Sequence, residues 1–252
     1  MNDCIIPQWP AATAVGALST TRRGGVSLAP YAGGARGDGL NLGLHVGDDA
    51  ARVAENRARV RAALPAEPVW LSQVHGATVV DAANVLGVPD ADASFTTRPG
   101  VVCAVMTADC LPVLLADRAG AVVAAAHAGW RGLASGVLQN TVARMREAGA
   151  GDIVAWLGPA IGPRRFEVGA EVRAAFIGGS AATGAAFVAQ ADGKYLADIY
   201  RLARMVLADC GVRETGGGDR CTVTEESLFY SYRRDGVTGR MASMIWIAPA
   251  AD

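Results

Sequence analysis

Between Val69 and Gly129 the chain passes through a series of short apolar segments, each closed by a turn residue: VWLSQVHG, ATVVDA, VVCAVMTA, LPVLLAD and AVVAAAHAG. Apolar runs of about four to eight residues between turn signals suit strands better than helices. Asp117-Arg118-Ala119-Gly120 reads as a hairpin turn joining the last two. No run approaches the roughly 18 residues of a membrane span. The mean hydropathy of +0.24 comes from alanine-rich stretches and not from a long greasy segment.

Around this strand-rich middle the apolar spacing turns helical. A helix is expected over residues 49–63, capped by Asp48 or Asp49, with Val53, Val60 and Leu64 on one face. A second is expected over 133–148, carried by Leu133, Val137, Leu138, Val142 and Met145 and stopped by Gly149. A third, over 195–209, carries Leu196, Ile199, Leu202, Ala203 and Val206 and closes at Gly211. Strands are expected in TAVGALSTT, which runs into a turn at Arg23-Gly24-Gly25, in IVAWLGPAIG, and in MASMIWIA. YAGGARGDG, residues 31–39, reads as a glycine-rich surface loop. The elements mix without a strict βαβ rhythm, and adjacent strands read as hairpins. The expected fold is therefore α+β, with mixed β-sheets covered by helices, and 252 residues suffice for one large domain or two small ones.

Composition removes several classes of function. A net charge of −1 and a pI near 6.3 give no field for nucleic acid or a membrane surface. MNDCIIPQWP lacks the basic and apolar regions of a signal peptide, so a cytoplasmic location is expected. Five dispersed cysteines without a CxxC pair argue against a disulfide framework or a four-cysteine zinc knuckle. Lys194 is the only lysine, so Schiff-base chemistry would rest on it alone. A G-x-S-x-G elbow, an H-E-x-x-H motif and phosphate-loop fingerprints are all missing.

Two of the three histidines, His75 and His127, stand with Cys110 where apolar runs break into turns. Two imidazoles and a thiolate make a ligand set for zinc that leaves a fourth position open. Each residue also has a plainer reading. A histidine at a strand end serves as a hydrogen-bonded structural residue, and Cys110 as a small buried hydrophobe. Asp109, beside the cysteine, either orients the site, acts as a base, or caps a turn. The small residues after His127 leave room for close approach, and Arg131 lies four residues on.

Read together, the segments resemble the YfiH-type laccase-domain family, also called polyphenol-oxidase-like. The resemblance rests on Ser19-Thr20-Thr21-Arg22-Arg23-Gly24-Gly25-Val26-Ser27, Asn41-Leu42-Gly43, Val46-Gly47-Asp48, Asn56-Arg57 and Gln73-Val74-His75-Gly76. It continues through Asp90-Ala91-Asp92-Ala93, Thr107-Ala108-Asp109-Cys110-Leu111-Pro112 and His127-Ala128-Gly129-Trp130-Arg131-Gly132. Gly158-Pro159-Ala160-Ile161-Gly162, Phe166-Glu167-Val168-Gly169, Ser231-Tyr232-Arg233-Arg234-Asp235-Gly236 and Thr238-Gly239-Arg240 complete it; the alanine-rich residues 178–191 match least.

The resemblance implies one domain over residues 1–252 with a sandwich-like core, a fold like that of cysteine hydrolases, and a zinc site of His75, Cys110 and His127, with copper as a possible substitute. It also implies phosphorolysis of purine nucleosides (adenosine, inosine, guanosine, methylthioadenosine) together with adenosine deamination. Asp109 and Cys110 are the expected catalytic residues. Asn41 and Gln73, in the matched motifs, are expected to bind substrate, with Arg57 and Arg131 taking phosphate bidentately. For deamination, zinc would lower the pKa of water for attack at C6 of adenine. A second reading makes Cys110 the nucleophile of an amide hydrolase acting on cell-wall precursors, and a third makes the chain a non-catalytic zinc module. On any of these readings a monomer or weak dimer is expected. A true multicopper laccase needs far more imidazoles than three.

Overall fold

A computed structural model describes residues 3–33 and 38–249. Residues 34–37 of the expected glycine-rich loop lie outside the described residues. Two sheets form the centre. One has four strands in the order Val15–Ser19, Met241–Ile247, Val102–Thr107, Pro68–Val69. The other has six: Thr215–Gly217, Ile153–Leu157, Leu111–Asp117, Val123–Ala128, Ala93–Thr96, Val79–Asp81. Both are mixed, with parallel pairs at Pro68–Val69, Thr215–Gly217 and Val79–Asp81 and antiparallel pairs elsewhere. The architecture is α+β, as the apolar patterning implies.

The sheets stack face to face, and the period-2 alternation of each strand sorts its residues between layers. Cys103, Val105 and Ile245 of the smaller sheet meet Leu114, Ala116, Val123, Ala125 and Trp156 of the larger. The alternate residues Val113, Leu115, Ala124 and Ala126 pack outward against Leu138, Val142, Leu202 and Ala203 of helices Val137–Glu147 and Ile199–Asp209. Ala104, Met106 and Met244 face Val60 of helix Ala50–Arg61 and Leu64 beyond its end. Both faces of each sheet are thus covered, which is why the central strands read as continuous apolar runs and not as alternating ones.

The first expected helix stands, with Asp49 as cap accepting from Ala51 N and Arg52 N. Four local expectations change. The second helix breaks at Gly136, whose φ of 94° ends Trp130–Ala134 before Val137–Glu147 begins. Residues Tyr195–Ala197 form a strand of a small three-stranded sheet, because Asp198 caps the third helix and starts it at Ile199. Arg23–Ser27 is a strand and not a turn. The segments around VVCAVMTA and LPVLLAD do not form a hairpin. Val102–Thr107 belongs to the smaller sheet and Leu111–Asp117 to the larger, so Ala108-Asp109-Cys110 crosses between them. The alanine-rich stretch contributes the 3-10 helix Ala181–Ala186 and strand Phe187–Ala189.

Candidate active site and metal centre

The crossing places Cys110. Asp109 sits at φ 89°, a left-handed conformation that turns the chain from one sheet to the other. Its carboxylate holds the turn: Oδ1 accepts from Thr222 Oγ1 at 2.5 Å and Oδ2 from Arg233 N at 2.6 Å, while its carbonyl accepts from Ile161 N at 2.9 Å. Cys110 follows directly, at the mouth end of strand Leu111–Asp117. His127, paired with Pro112 across the hairpin, ends the neighbouring strand and is 3% exposed.

His75 arrives from a loop. Of VWLSQVHG only Val69 lies in a strand. Beyond it, the Gln73 amide substitutes for strand pairing, its Nε2 donating to Met106 O at 2.8 Å and its Oε1 accepting from Met106 N at 2.7 Å. His75 itself has φ 59°. Its loop is tied down by Asp92, fully buried at 0% exposure, which accepts from Val74 N (3.2 Å), His75 N (3.0 Å) and Gly76 N (2.6 Å). The same carboxylate lies 2.7 Å from His127 Nδ1. A carboxylate there accepts the Nδ1 proton, which leaves Nε2 of His127 free for the centre.

The three side chains converge. Cys110 Sγ is 3.9 Å from His75 Nε2, the imidazole rings stand 4.8 Å apart at 76°, and the ligand atoms all lie within 4.8 Å of one another. Gly129 makes this possible, since a Cβ there would come within 2.9 Å of Cys110 Sγ and 3.3 Å of His75 Cδ2. Burial would raise the Cys110 thiol, but His127 and His75 outweigh it and hold the group well below the ordinary thiol range. Burial likewise opposes charge on His127, yet Cys110 and Asp92 raise it above the ordinary imidazole range. For Asp92 burial is again overcome, here by the hydrogen bonds from His127 and the loop, and its pKa falls. The donor set fits a zinc-class ion: an ionised thiolate, two imidazoles, and a carboxylate orienting one of them, within closing distance of bonds of about 2.0–2.3 Å.

The trio opens into a cavity of about 650 Å³. Leu44, Trp70, Val88 and Met106 supply apolar wall, and Arg57, Arg240 and His45 a basic one. Among the described lining residues none is acidic. Arg57 and Gln73 line it as expected residues, although both amide atoms of Gln73 are engaged by Met106. Asn41 does not: it is fully buried, its Oδ1 accepting from Gly43 N and Arg240 N and its Nδ2 donating to Asp48. Arg131 is exposed and stacked 4.5 Å from the Trp130 ring, away from the cavity lining. Asp109 lies behind the centre with both oxygens held. Asp92, His45 and Arg240 went unassigned in the sequence reading. The first was visible only as one acid in Asp90-Ala91-Asp92, and the other two sit far from the trio in sequence.

These features define a protein with a basic-walled cavity and a potential metal centre, and comparison supplies the family. The chain belongs to the multi-copper polyphenol oxidoreductase laccase family, whose model matches residues 16–248. It is 57% identical over 253 residues to "Purine nucleoside phosphorylase YfiH" of Escherichia coli, covering 98% of this chain and 100% of that one. A Pseudomonas aeruginosa protein, also called purine nucleoside phosphorylase, is 53% identical over 98% of this chain and 99% of its own. The crystal structure of a Neisseria meningitidis protein superposes with a TM-score of 0.91 at 50% identity, covering 98% and 100%.

Proposed function

We propose that this protein is a zinc-dependent purine nucleoside phosphorylase, cleaving adenosine, inosine, guanosine and methylthioadenosine, and that the same centre deaminates adenosine. The observation that carries the reading is the cavity itself: an acid-free pocket of about 650 Å³ with an apolar wall, a basic wall and the His75–Cys110–His127 trio at its floor. That volume suits a nucleoside-sized ligand. The names of the relatives point to the same reaction.

In phosphorolysis an oxygen of phosphate forms a bond to C1′ of the ribose while the C1′–N9 bond breaks. The electron pair leaves with the purine, which takes up a proton. His75, Cys110 and His127 would hold the metal, with copper as a substitute for zinc; the ion supplies Lewis acidity toward an oxygen of the substrate or of water. Arg57 directs positive charge at the anion, from a position stacked over Trp70 at 4.1 Å. Leu44, Val88 and Met106 exclude water from the base. Asp109 acts as a positioning residue through the crossing and not as a proton shuttle, because Thr222 and Arg233 occupy its oxygens.

The family's laccase name does not carry over to the reaction. Of the three histidines, two are in the trio and His45 stands on the cavity wall, which leaves no imidazoles for a trinuclear copper cluster. We place the protein in the cytoplasm, in keeping with five cysteines dispersed along the chain without a CxxC pair. Among the described residues no helix is long and apolar enough to cross a membrane.

A second reading has its own observation. Cys110 stands within 4.8 Å of the His127 ligand nitrogen, and His127 is in turn held by Asp92, which makes a nucleophile–base–orienter arrangement. Metal-free, this arrangement suits amide hydrolysis in a cell-wall precursor. The deciding experiment incubates zinc-loaded protein with inosine and with adenosine, with and without phosphate, and identifies products by mass. Phosphate-dependent ribose 1-phosphate is expected, and inosine from adenosine. Inosine cleaved equally well by metal-depleted protein would remove zinc from the reading. Absence of both products would remove nucleosides and leave the cysteine hydrolase.

A further inference from the structure

We propose that Arg240, His45 and Arg57 form a built oxyanion subsite for inorganic phosphate, and that Asn41, Leu42 and Gly43 exist to assemble it. The inference rests on the phosphorylase reading; it keeps Arg57 and puts Arg240 and His45 in the place expected of Arg131, which does not line the cavity.

The two guanidiniums are partly buried on the cavity wall, and among the described residues neither lies within ion-pair distance of a carboxylate. Arg57 gives Nε to Leu42 O at 3.0 Å, with only the weak acceptor Met106 Sδ, 4.0 Å away, near Nη2. Arg240 gives Nη1 to Thr238 O and Gly239 O, both at 3.1 Å. A guanidinium carries five N–H donors, so each keeps donors for the cavity. A partly buried cation with no ion-pair partner is costly, and burial lowers the pKa of both arginines, outweighing the charge of Glu67 on Arg57 and those of Cys110 and Asp109 on Arg240. A bound dianion would relieve that cost. His45 lies within the field of both: burial first, then Arg240 and Arg57, depress its pKa, so at neutral pH it offers a neutral N–H donor. Arg240 and His45 line the same cavity as His75, Cys110 and His127, which sets the subsite beside the trio.

One short segment builds this wall. Leu42 O orients Arg57. The buried Asn41 Oδ1 accepts from Arg240 N at 2.9 Å and Gly43 N at 3.0 Å, clamping the two strands of backbone together. At Gly43 a Cβ would sit 2.9 Å from Arg240 Cγ, so only glycine lets that side chain lie across the segment. Asn41 is therefore a positioning residue for the anion site. This accounts for a fully buried asparagine that does not line the cavity.

The ligand chemistry is a tetrahedral phosphoryl dianion, and a nucleotide 5′-phosphate would share it. The test is calorimetry of the zinc-loaded protein with inorganic phosphate and, separately, with a nucleoside 5′-monophosphate, followed by steady-state phosphorolysis. Arg240→Gln should weaken phosphate by about 10–100-fold and raise its KM alike, with the nucleoside KM unchanged. Arg240→Lys should recover part of the loss, and Arg131→Gln should change nothing. His45→Ala provides a second route if Arg240→Gln does not fold, with phosphate weakened several-fold. Equal phosphate affinity in parent, Arg240→Lys and His45→Ala overturns the subsite, as does Arg240-dependent binding of the monophosphate alone. Arg240-dependent phosphate binding without ribose 1-phosphate keeps the subsite and overturns the phosphorylase reading instead.

Discussion

Replacing Asp92 by asparagine preserves the shape of the side chain while breaking the joint between the two histidine segments. The carboxylate is fully buried and takes four donors. Oδ1 receives His75 N at 3.0 Å and lies 2.7 Å from His127 Nδ1, while Oδ2 receives Val74 N at 3.2 Å and Gly76 N at 2.6 Å. An amide has one oxygen, so whichever way it turns, two of those donors face its NH2 group. A buried donor without an acceptor costs about 1–3 kcal/mol, so Asp92→Asn should lose about 2–5 kcal/mol of folding stability. Zinc affinity should fall about 10–100-fold as His127 loses the group that fixes its proton on Nδ1. The pH dependence has a definite sign. Asp92 has a depressed pKa in the fold, so its stabilisation is present above the ordinary aspartate range and lost as pH falls through the lowered value. Asp92→Asn therefore flattens the acid limb of the stability curve. Urea denaturation of metal-free protein across pH, with zinc competition against a chromophoric chelator, measures both effects. A variant within about 1 kcal/mol of the parent and with unchanged zinc affinity would show that the carboxylate only fills space, and the argument would fail.

Gly129→Ala isolates crowding, because φ −57° and ψ 156° already suit alanine. The new Cβ against Cys110 and His75 should cost about 1–3 kcal/mol and lower zinc occupancy at fixed free zinc, read by melting and metal analysis. Cys110 should resist iodoacetamide in zinc-loaded protein and react after chelation, with a rate midpoint below the ordinary thiol range; reaction at the same rate before chelation would favour the free nucleophile. At Asp109 both Gly and Ala remove the acceptors of Thr222 and Arg233, but only Ala bears the cost of φ 89°. Asp109→Gly should therefore be more stable than Asp109→Ala by about 1 kcal/mol, the reverse of their usual order, in chemical denaturation.

What the sequence disclosed followed the range of the forces involved. Helix Ala50–Arg61 was legible because its cap and its apolar face lie within a dozen residues. The buried strands were legible because full coverage on both faces writes unbroken apolar runs. Chain direction between strands was not: nothing local separates the true hairpin after Asp117 from the crossing at Asp109, since both are short polar breaks between apolar runs. Yet that crossing decides the site. A hairpin would have kept Cys110 in the smaller sheet. The left-handed step at Asp109 puts it beside His127 in the larger one. The ligand trio was legible as residue types, because histidine is scarce and each member ends an apolar run. Its supports were not, because Asp92, Thr222 and Arg233 act across sequence separations of up to 124 residues through single buried hydrogen bonds. The same limit explains the arginines. Arg131 is close to His127 in sequence yet stacks on Trp130 and does not line the cavity, while Arg240 is distant and lines it. Proximity along the chain is a sound guide to a helix face, but this cavity wall is assembled by backbone clamps such as Asn41, whose buried amide looks like a ligand-binding group until its partners are known.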